Sequence, residues 1–340
     1  MIHSNRRRFL QTSALGLAAA GMGLSLYAPR AAAAAKLVIK YDWLMSNGQI
    51  GDVVAAKQGF FQAEGLDVEF SPGGPNSATV PPVVTGQALM GQFSDSAQLL
   101  LARASGVPVK ILACGFRMAP FAFYSLPKAP IRSVSDMIGK RIGIQPTARF
   151  VLDAILEKNQ IDPSKLTITN IGFDMTPLTT GQVDAVTGWI TNTQALSTIG
   201  PDRIDLMMKD TGLPSYANVY FATDDALANH SEDIAKVMRA IAKGWARTHD
   251  HPEEAVKLTV EAYPQLDLAT ELQTVPRILQ LSFDADTAKN GWGSFDPAAV
   301  QEQIAIYDKI GQFKSGAPKL EDCITTKILE MTAADRPKFA

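Results

Sequence analysis

The sequence has little of the chemistry that metal centres and covalent catalysis need. Its 340 residues include two cysteines and four histidines, and these form neither a C-x-x-C pair nor an H-E-x-x-H motif. The glycine motifs that cradle nucleotide phosphates are also missing. We therefore expect no metal, no resident cofactor and no enzymatic activity. We expect Cys114 and Cys323 to be buried thiols, although an oxidising compartment would allow a disulfide.

Positive charge is also scarce once the N-terminal segment is set aside. The whole chain carries 32 basic and 34 acidic residues, and without the four arginines of residues 1–35 the balance is 28 against 34, a net charge of −6. A mildly acidic surface argues against a nucleic-acid partner.

The first 35 residues are typical of an export signal rather than of a membrane span. "NRRRFLQ" (5–11) is followed by an Ala/Gly-rich apolar run and by "APRAAAAAK", and the run is shorter than the ~20 residues a spanning helix needs. Paired Arg6 and Arg7 indicate the twin-arginine type, with Asn5 and Gln11 where that type usually has Ser and Lys. An ordinary secretory signal is the alternative. We expect cleavage near residues 33–35, a periplasmic mature protein, and the twin-arginine export machinery as a partner.

The rest of the chain alternates predicted strands with predicted helices, which favours an α/β fold. A first unit has strands at 36–43, 66–74, 89–94 and 109–116 and helices at 50–65, 76–87 and 95–106. A second unit has a short helix and a strand over 133–145, further strands at 166–173, 183–189 and 204–210, and helices at 147–160, 175–182 and 192–200. From residue 225 onwards the pattern is helical, and Trp245 and Trp292 in this tail are expected to be core residues.

One short pattern occurs in both units. "VTGQALMGQF" (84–93) and "TTGQVDAVTGW" (179–189) each predict a helix end, a Gly-Gln step and a short buried strand. The repetition predicts two lobes, each a mostly parallel sheet flanked by helices. The extended segments 119–127 and 217–224 would connect the lobes as a hinge, giving lobe I as 36–123 plus 221–340 and lobe II as 124–220. Ligands of such sheets bind beyond the carboxyl ends of the strands.

The segment "YDWLMSNGQIGDVVAAKQGFFQAEGLDVEFSPGG" (41–74) resembles the substrate-binding proteins of ABC importers for sulfonates, nitrate or thiamine-pyrimidine precursors. The resemblance continues through 86–113, 133–145 and 181–189 into the helical tail. It implies a two-lobed periplasmic binding fold of type II, a small-molecule ligand, an ABC permease as partner and a monomeric state.

Within this group the pyrimidine-precursor branch is the nearest pattern. Asp42 and Trp43 match its first strand, and "SPGGPNS" (71–77) keeps its P-G-G turn. Met45, Ser46 and Gln49 replace the proline, asparagine and histidine that are usual in the intervening loop. The cysteine-rich iron motif of the eukaryotic relatives that make the pyrimidine enzymatically is absent.

Two tryptophans and a set of polar residues are the candidate ligand contacts. Trp43 and Trp189 end equivalent predicted strands and could stack on a flat ring from opposite sides. Gln145, Thr147 and Arg149 begin a helix, where backbone N–H groups favour an anion. The further candidates follow strand ends, although helix capping or a surface turn would also explain several of them: Asn47, Gln49, Ser94, Asp95, Asp174, Asn192 and Tyr216.

Three functions follow in order of support. The first is an extracytoplasmic receptor that closes on a small, flat, polar heterocycle resembling a thiamine pyrimidine precursor. The second is a receptor for a sulfonate or another oxyanion, held by Arg149 and the helix start. The third is an extracytoplasmic enzyme acting on a related heterocycle, which the missing nucleophile–base set argues against.

Overall fold

The structure is a computed structural model described for residues 36–74, 77–172 and 174–339, so the predicted export signal lies outside the described residues. In chain order the strands are β1 (Lys36–Tyr41), β2 (Asp67–Ser71), β3 (Met90–Asp95), β4 (Val109–Phe116), β5 (Phe121–Ser125), β6 (Arg141–Ile144), β7 (Thr167–Asn170), β8 (Ala185–Trp189), β9 (Ile204–Met207) and β10 (Ala217–Thr223). They form two five-stranded sheets, with the orders β2-β1-β3-β10-β4 and β7-β6-β8-β5-β9.

Four of the five strands in each sheet run in the same direction. In the first sheet β1 is parallel to β2 and β3, whereas β10 is antiparallel to both of its neighbours. In the second sheet β6 is parallel to β7 and β8, and β5 is antiparallel to β8 and β9. The predicted α/β fold with two mostly parallel sheets is confirmed, and the odd strand in each sheet is the one that arrives from the other lobe.

Helices cover both sheets, and the long ones follow β10. They are α1 (Ile50–Lys57), α2 (Phe60–Ala63), α3 (Val80–Val84), α4 (Ser96–Ala104), α5 (Arg149–Lys158), α6 (Thr176–Thr179), α7 (Thr193–Ser197), α8 (Asp224–Asn229), α9 (Ser231–Asp250), α10 (Pro252–Ala262), α11 (Leu268–Ser282), α12 (Ala285–Asn290), α13 (Pro297–Lys309), α14 (Leu320–Cys323) and α15 (Lys327–Met331). The helix predicted over 50–65 is two helices, because Gly59 adopts a left-handed conformation (φ +72°) between α1 and α2.

The repeated sequence pattern has the same structure in both lobes. Helices α3 and α6 are each followed by a glycine in the left-handed region, Gly86 at φ +73° and Gly181 at φ +74°. The strands that follow, β3 and β8, occupy equivalent places beside the antiparallel strand of their sheets. A left-handed glycine lets the chain turn sharply from the helix end into the strand.

The segments predicted as crossings are mostly strands. Residues 121–125 are β5 of the second sheet and residues 217–223 are β10 of the first. Each segment is a strand because it pairs with one strand on either side. The predicted lobe boundaries after residues 123 and 220 therefore fall inside strands. We propose that the crossings are the shorter stretches 117–120 and 212–216, which are joined by a hydrogen bond from the Ala119 N–H to the Ser215 carbonyl (3.2 Å). Below, elements around the first sheet are called lobe I and those around the second sheet lobe II.

A buried carboxylate ties the core of lobe I together. Asp52 in α1 accepts hydrogen bonds from the hydroxyls of Tyr41 (2.8 Å) and Tyr220 (2.7 Å) and from the indole N–H of Trp245 (3.3 Å). Burial raises the pKa of Asp52 to about 6, although these three donors oppose the shift. Trp245 also stacks on Trp292 with ring centroids 5.5 Å apart, and both indoles are fully buried, which confirms their predicted packing role.

The two cysteines are buried thiols, as predicted. Cys114 and Cys323 are buried and unpaired, and burial raises the pKa of Cys323 to about 12. Within residues 36–74, 77–172 and 174–339, no three His, Cys, Asp or Glu side chains cluster as metal ligands would. Over the same residues, no helix combines the length and apolar character that a membrane crossing requires.

Candidate functional site

A cavity of about 250 Å³ lies between the two lobes, where the carboxyl ends of β3, β6 and β8 face each other. Lobe I contributes Phe93, Asp95, Gln98 and Tyr307. Lobe II contributes Phe121, Gln145, Thr147, Ala148, Val151 and Trp189. The crossings and the segment beside them contribute Ala119, Met208 and Ser215. A partly apolar cavity with a few converging polar groups at this position is the usual form of a small-molecule site.

Two further cavities, of about 210 and 230 Å³, lie beside the crossings. Both are bordered by Met118, Ala119 and Lys209, and neither includes a residue of β3, β6 or β8. The cavity between the strand ends is therefore the better candidate for the ligand.

Asp95 is the acidic group of the cavity. It ends β3 and begins α4 as the N-cap, where its Oδ1 accepts hydrogen bonds from the N–H groups of Ala97 (2.6 Å) and Gln98 (3.3 Å). The pKa of Asp95 is raised to about 6, mainly by burial and to a lesser extent by the nearby Asp42 carboxylate, and the two N–H donors oppose this shift. Among the described residues that line the cavity there is no Lys, Arg or His. The ionised carboxylate therefore favours a ligand group that donates hydrogen bonds.

Asp42 and Ser94 lie next to Asp95 at the edge of the first sheet. The N–H of Ser94 donates to Asp42 Oδ2 (2.8 Å), so the ends of β1 and β3 are fixed to each other. Burial raises the pKa of Asp42, and its hydrogen bonds with Ser94 lower it. This contact positions the start of α4, and with it the carboxylate of Asp95.

Gln145 forms the opposite wall and is held firmly in place. Its Nε2 donates to the carbonyls of Gly172 (3.0 Å) and Thr187 (3.2 Å), and its Oε1 accepts from Thr187 Oγ1 (2.7 Å). These bonds join the end of β6 to β8 and to the segment after β7. Thr147 follows in a short 3-10 helix, Pro146–Ala148, and its side chain is exposed at the cavity.

Trp189 is the aromatic residue at the end of β8. Its indole is half-buried and stands nearly perpendicular to the ring of Phe121 on the neighbouring strand, with centroids 6.5 Å apart. An indole supported by a second aromatic ring offers a firm surface for a flat ligand.

Trp43 is not in the cavity with Trp189. β1 ends at Tyr41, two residues earlier than predicted, and a hydrogen bond from the Gly73 N–H to the Trp43 carbonyl (2.9 Å) directs the chain into the P-G-G turn. The Trp43 indole is 43% exposed at the same edge of the sheet. The structure thus brings one of the two predicted tryptophans to the cavity, and a stacking role for Trp43 stays a prediction.

The loop residues Asn47 and Gln49 are turned into lobe I. Asn47 Nδ2 donates to the carbonyl of Glu271 in α11 (2.9 Å), and Gln49 Nε2 donates to Gln92 Oε1 (2.9 Å). Gln49 Oε1 also accepts from the N–H of Ser46 (3.2 Å). Both side chains are buried and neither lines the cavity. The hydrogen bonds they make fix the loop, and a ligand contact for either residue stays a prediction.

Two further candidates, outside the cavity, bond to backbone N–H groups at the starts of short helices, Asp174 just before α6 and Asn192 as the N-cap of α7. Asp174 accepts from the N–H (2.9 Å) and hydroxyl (2.7 Å) of Thr176, and these bonds lower its pKa. Asn192 is the N-cap of α7 and accepts from the N–H of Ala195 (3.3 Å). Capping, the alternative already open from the sequence, accounts for the contact of Asn192, and a local turn before α6 accounts for those of Asp174.

Arg149 and Tyr216 also lie outside the cavity lining. Arg149 pairs with Asp153 one turn along α5 (2.9 Å). Tyr216 is buried in a crossing, where its hydroxyl accepts from the N–H of Asp296 (2.9 Å) and the guanidinium of Arg117 lies 5.2 Å from its ring centroid. These contacts serve the helix and the crossing.

The cavity lining includes residues that the sequence analysis did not select. Gln98 lies one helical turn after Asp95, so the i, i+3 spacing could have identified it. Tyr307 comes from α13, more than 200 residues after Asp95 in the chain, and no local pattern connects the two. Phe93 lies in a predicted strand and Phe121 in a predicted connection between the lobes, and neither local pattern shows which ring ends at a cavity.

The chain is similar in sequence to several named proteins. The chain is 28% identical over 255 residues to the riboflavin-binding protein RibY of Chloroflexus aurantiacus, covering 72% of each chain. It is 24% identical over 278 residues to a formylaminopyrimidine-binding protein of Halalkalibacterium halodurans, covering 79% of this chain and 84% of the relative. A 4-amino-5-hydroxymethyl-2-methylpyrimidine phosphate synthase of Legionella pneumophila is 25% identical, with coverage of 68% and 75%.

A solved structure supports the fold. The periplasmic aliphatic sulphonate binding protein SsuA from Escherichia coli superposes with a TM-score of 0.60 at 15% identity, covering 84% of this chain and 92% of that one. At this identity the likeness concerns architecture alone. The family model described as NMT1/THI5 like matches residues 47–255, which is more than half of the 340 residues. The chain belongs to the NMT1/THI5-like family.

Proposed function

We propose that the protein is an extracytoplasmic solute-binding receptor of an ABC importer, and that it closes its two lobes on a small, planar, nitrogen-containing heterocycle of the pyrimidine class. The observation that carries the proposal is that Asp95 of lobe I and Trp189 of lobe II both line the cavity between the lobes. A carboxylate accepts hydrogen bonds from ring or exocyclic N–H groups, and an indole packs against the ring face. The relatives named for riboflavin and formylaminopyrimidine binding support this ligand class.

The same lining argues against the oxyanion alternative. The Asp95 carboxylate would repel a sulfonate, and the guanidinium that could hold one, Arg149, pairs with Asp153 instead. Thr147 at the start of α5 is the one feature that suits an anion, and Pro146 before it lacks an N–H to offer. An enzyme remains the alternative of another class, since one relative is named as a synthase.

The cellular setting follows from the receptor hypothesis. Residues 1–35 would direct export through the twin-arginine machinery and be cleaved, and the mature monomer would act in the periplasm. Closure would remove the solute from water between Asp95 and Trp189, and the permease would recognise the closed form. A ligand shifts this equilibrium only by its preference for the closed state.

Thermal unfolding with a panel of compounds tests the proposal. The panel comprises 4-amino-5-hydroxymethyl-2-methylpyrimidine, its formylamino analogue, riboflavin and an alkanesulfonate. A compound present at 100 times its Kd stabilises the fold by about 2.7 kcal/mol. We expect stabilisation by a pyrimidine and none by the sulfonate. Stabilisation by the sulfonate alone would overturn the assignment, and mass spectrometry that finds a stabilising compound converted to product would show an enzyme.

A further inference from the structure

The two lobes contact each other along one rim of the cavity through α5 of lobe II and α13 of lobe I. Two ion pairs cross this rim, Glu157 with Lys309 and Lys158 with Glu302. In one pair α5 provides the acidic residue and α13 the basic one, and in the other pair the charges are reversed. The rim is therefore complementary in charge as well as in position.

The same contact reaches the cavity wall. Phe150 at the start of α5 packs against Tyr307 of α13, with ring centroids 5.7 Å apart and an angle of 60° between the rings. Tyr307 is buried and lines the cavity. The same two helices thus carry the exposed ion pairs at the rim and an aromatic contact at the cavity wall.

We propose that the α5–α13 contact is a latch that favours the closed arrangement of the lobes before a solute is bound. The latch rests on the proposed receptor function for its biological meaning, but its contacts do not depend on which solute binds. If only the closed form holds the solute tightly, the apparent affinity scales with the population of that form. Four charged side chains at the rim would then tune solute affinity from outside the binding cavity.

The exposure of these side chains makes the latch weak and sensitive to salt. The side chains are 31% and 71% exposed in the Glu157–Lys309 pair and 37% and 44% exposed in the Lys158–Glu302 pair. Ion pairs this exposed contribute little each to stability, and added salt weakens them further, because the Debye length falls from about 30 Å at 0.01 M to about 3 Å at 1 M. Arg149 and Asp153, the other charged pair on α5, bond to each other. A weak latch suits a receptor that must also open to release its solute.

Charge inversion on one helix tests the latch without changing net charge. The variant Glu157→Lys/Lys158→Glu places like charges at both contacts. Adding Glu302→Lys/Lys309→Glu restores two matched pairs with their signs exchanged. The radius of gyration of the ligand-free protein, from small-angle X-ray scattering, reports lobe opening directly.

We expect a larger radius of gyration for the inverted variant and recovery of the wild-type value in the re-matched one. The wild-type radius should also grow between about 20 mM and about 500 mM NaCl, because salt screens both pairs. Binding of 4-amino-5-hydroxymethyl-2-methylpyrimidine should weaken about fivefold on inversion, which corresponds to about 1 kcal/mol. An inverted variant with the wild-type radius at low salt overturns the latch.

A matched control separates a latch from general charge effects. Lys309→Gln and Lys57→Gln each remove one lysine from an exposed ion pair, but the Lys57–Glu261 pair lies within lobe I. Only Lys309→Gln should open the ligand-free protein. If the radii behave as expected and no pyrimidine binds, the latch stands and the ligand assignment falls. If a pyrimidine binds equally well to all variants with unchanged radii, the assignment stands and the latch falls.

Discussion

Replacing Asp95 by asparagine separates the two roles that the structure gives this residue. Asparagine is as good an N-cap as aspartate, so its Oδ1 can still accept from the N–H groups of Ala97 and Gln98. What Asp95→Asn removes is the negative charge in the cavity. Stability and solute binding should therefore change in opposite directions.

In the ligand-free protein, the charge of Asp95 is a cost to folding at neutral pH. Its pKa rises from 3.8 to about 6 on folding because the carboxyl group is buried. A carboxyl with a raised pKa stabilises the fold fully only at pH values below its unfolded pKa, and this stabilisation is lost as the pH rises through the folded pKa. About two pKa units correspond to at most about 3 kcal/mol. The weaker interaction of a neutral cap with the helix dipole offsets ~0.3–1 kcal/mol of this. At pH 7, Asp95→Asn should therefore unfold at a higher temperature than the wild type.

Solute binding should show the reverse. A hydrogen bond to an ionised group contributes about 1.5–3 kcal/mol, so Asp95→Asn should bind a pyrimidine about 10- to 150-fold more weakly at pH 7. Wild-type affinity should be full above about pH 7 and fall up to tenfold per pH unit below about pH 6, as Asp95 is protonated. Asp42 is the other carboxyl facing Asp95. Because its pKa is also raised, its protonation would add to the loss of affinity at low pH. Tyr307 stays protonated throughout, because burial raises its pKa far above the ordinary value.

Isothermal titration of 4-amino-5-hydroxymethyl-2-methylpyrimidine between about pH 5 and about pH 8 measures both effects. Asp52→Asn is the matched control, since Asp52 has the same raised pKa but lies in the core of lobe I. It should alter stability and leave the pH profile of binding unchanged. A wild-type affinity that is flat across this range, or an Asp95→Asn variant that keeps the wild-type profile, would refute the assignment of Asp95 to the solute.

Four other substitutions test the site and its support. Trp189→Ala should weaken pyrimidine binding at least fivefold in titration, because ring stacking contributes ~0.5–1.5 kcal/mol beyond the buried area. Trp43→Ala tests whether both tryptophans stack on the ligand. A loss of affinity equal to that of Trp189→Ala would support stacking from opposite sides, and unchanged affinity would assign stacking to Trp189 alone. Thr187→Val removes the donor to Gln145 Oε1 and should cost about 1–3 kcal/mol in chemical denaturation while also weakening binding. Gly244→Ala should lower the Tm with a loss of about 3 kcal/mol, since a Cβ would lie 2.0 Å from a backbone oxygen of α1, and a wild-type Tm would contradict the close α1–α9 packing.

The fold could be predicted because its signals are local and repeated. The Gly-Gln steps at Gly86 and Gly181 needed a left-handed residue between a helix end and a strand, and both glycines provide one. What sequence periodicity could not show is strand partnership. The sequence predicts residues 121–125 and 217–223 as extended connections between the lobes. In the structure each segment lies between two strands of a sheet and pairs antiparallel with both, which makes it a strand.

The cavity lining was predictable only in part, for a related reason. Position after a strand indicates which residues lie near the edge of the sheet, and four of the candidates selected in this way line the cavity: Asp95, Gln145, Thr147 and Trp189. Their contact with a solute stays a prediction. The same rule also selects residues whose polar groups bond within the protein. Asp174 is an example, because its carboxylate accepts hydrogen bonds from the N–H and hydroxyl of Thr176. An edge residue is available to a solute only if its partners leave a polar atom or a ring face free. That condition is set by tertiary contacts.

Tyr307 shows the limit most clearly. It reaches the cavity because α13, far along the chain, returns across lobe I, where Gln303 Oε1 accepts a hydrogen bond from the hydroxyl of Ser96 (2.9 Å). Tyr307 then meets Phe150 of lobe II, and the ion pairs beyond it complete the rim. Each of these contacts joins residues more than 140 positions apart. Neither residue spacing nor hydrophobic periodicity in the sequence could therefore predict them. A cavity between two lobes is a property of how the lobes meet, and residues that control this meeting should influence the solute as strongly as some that touch it.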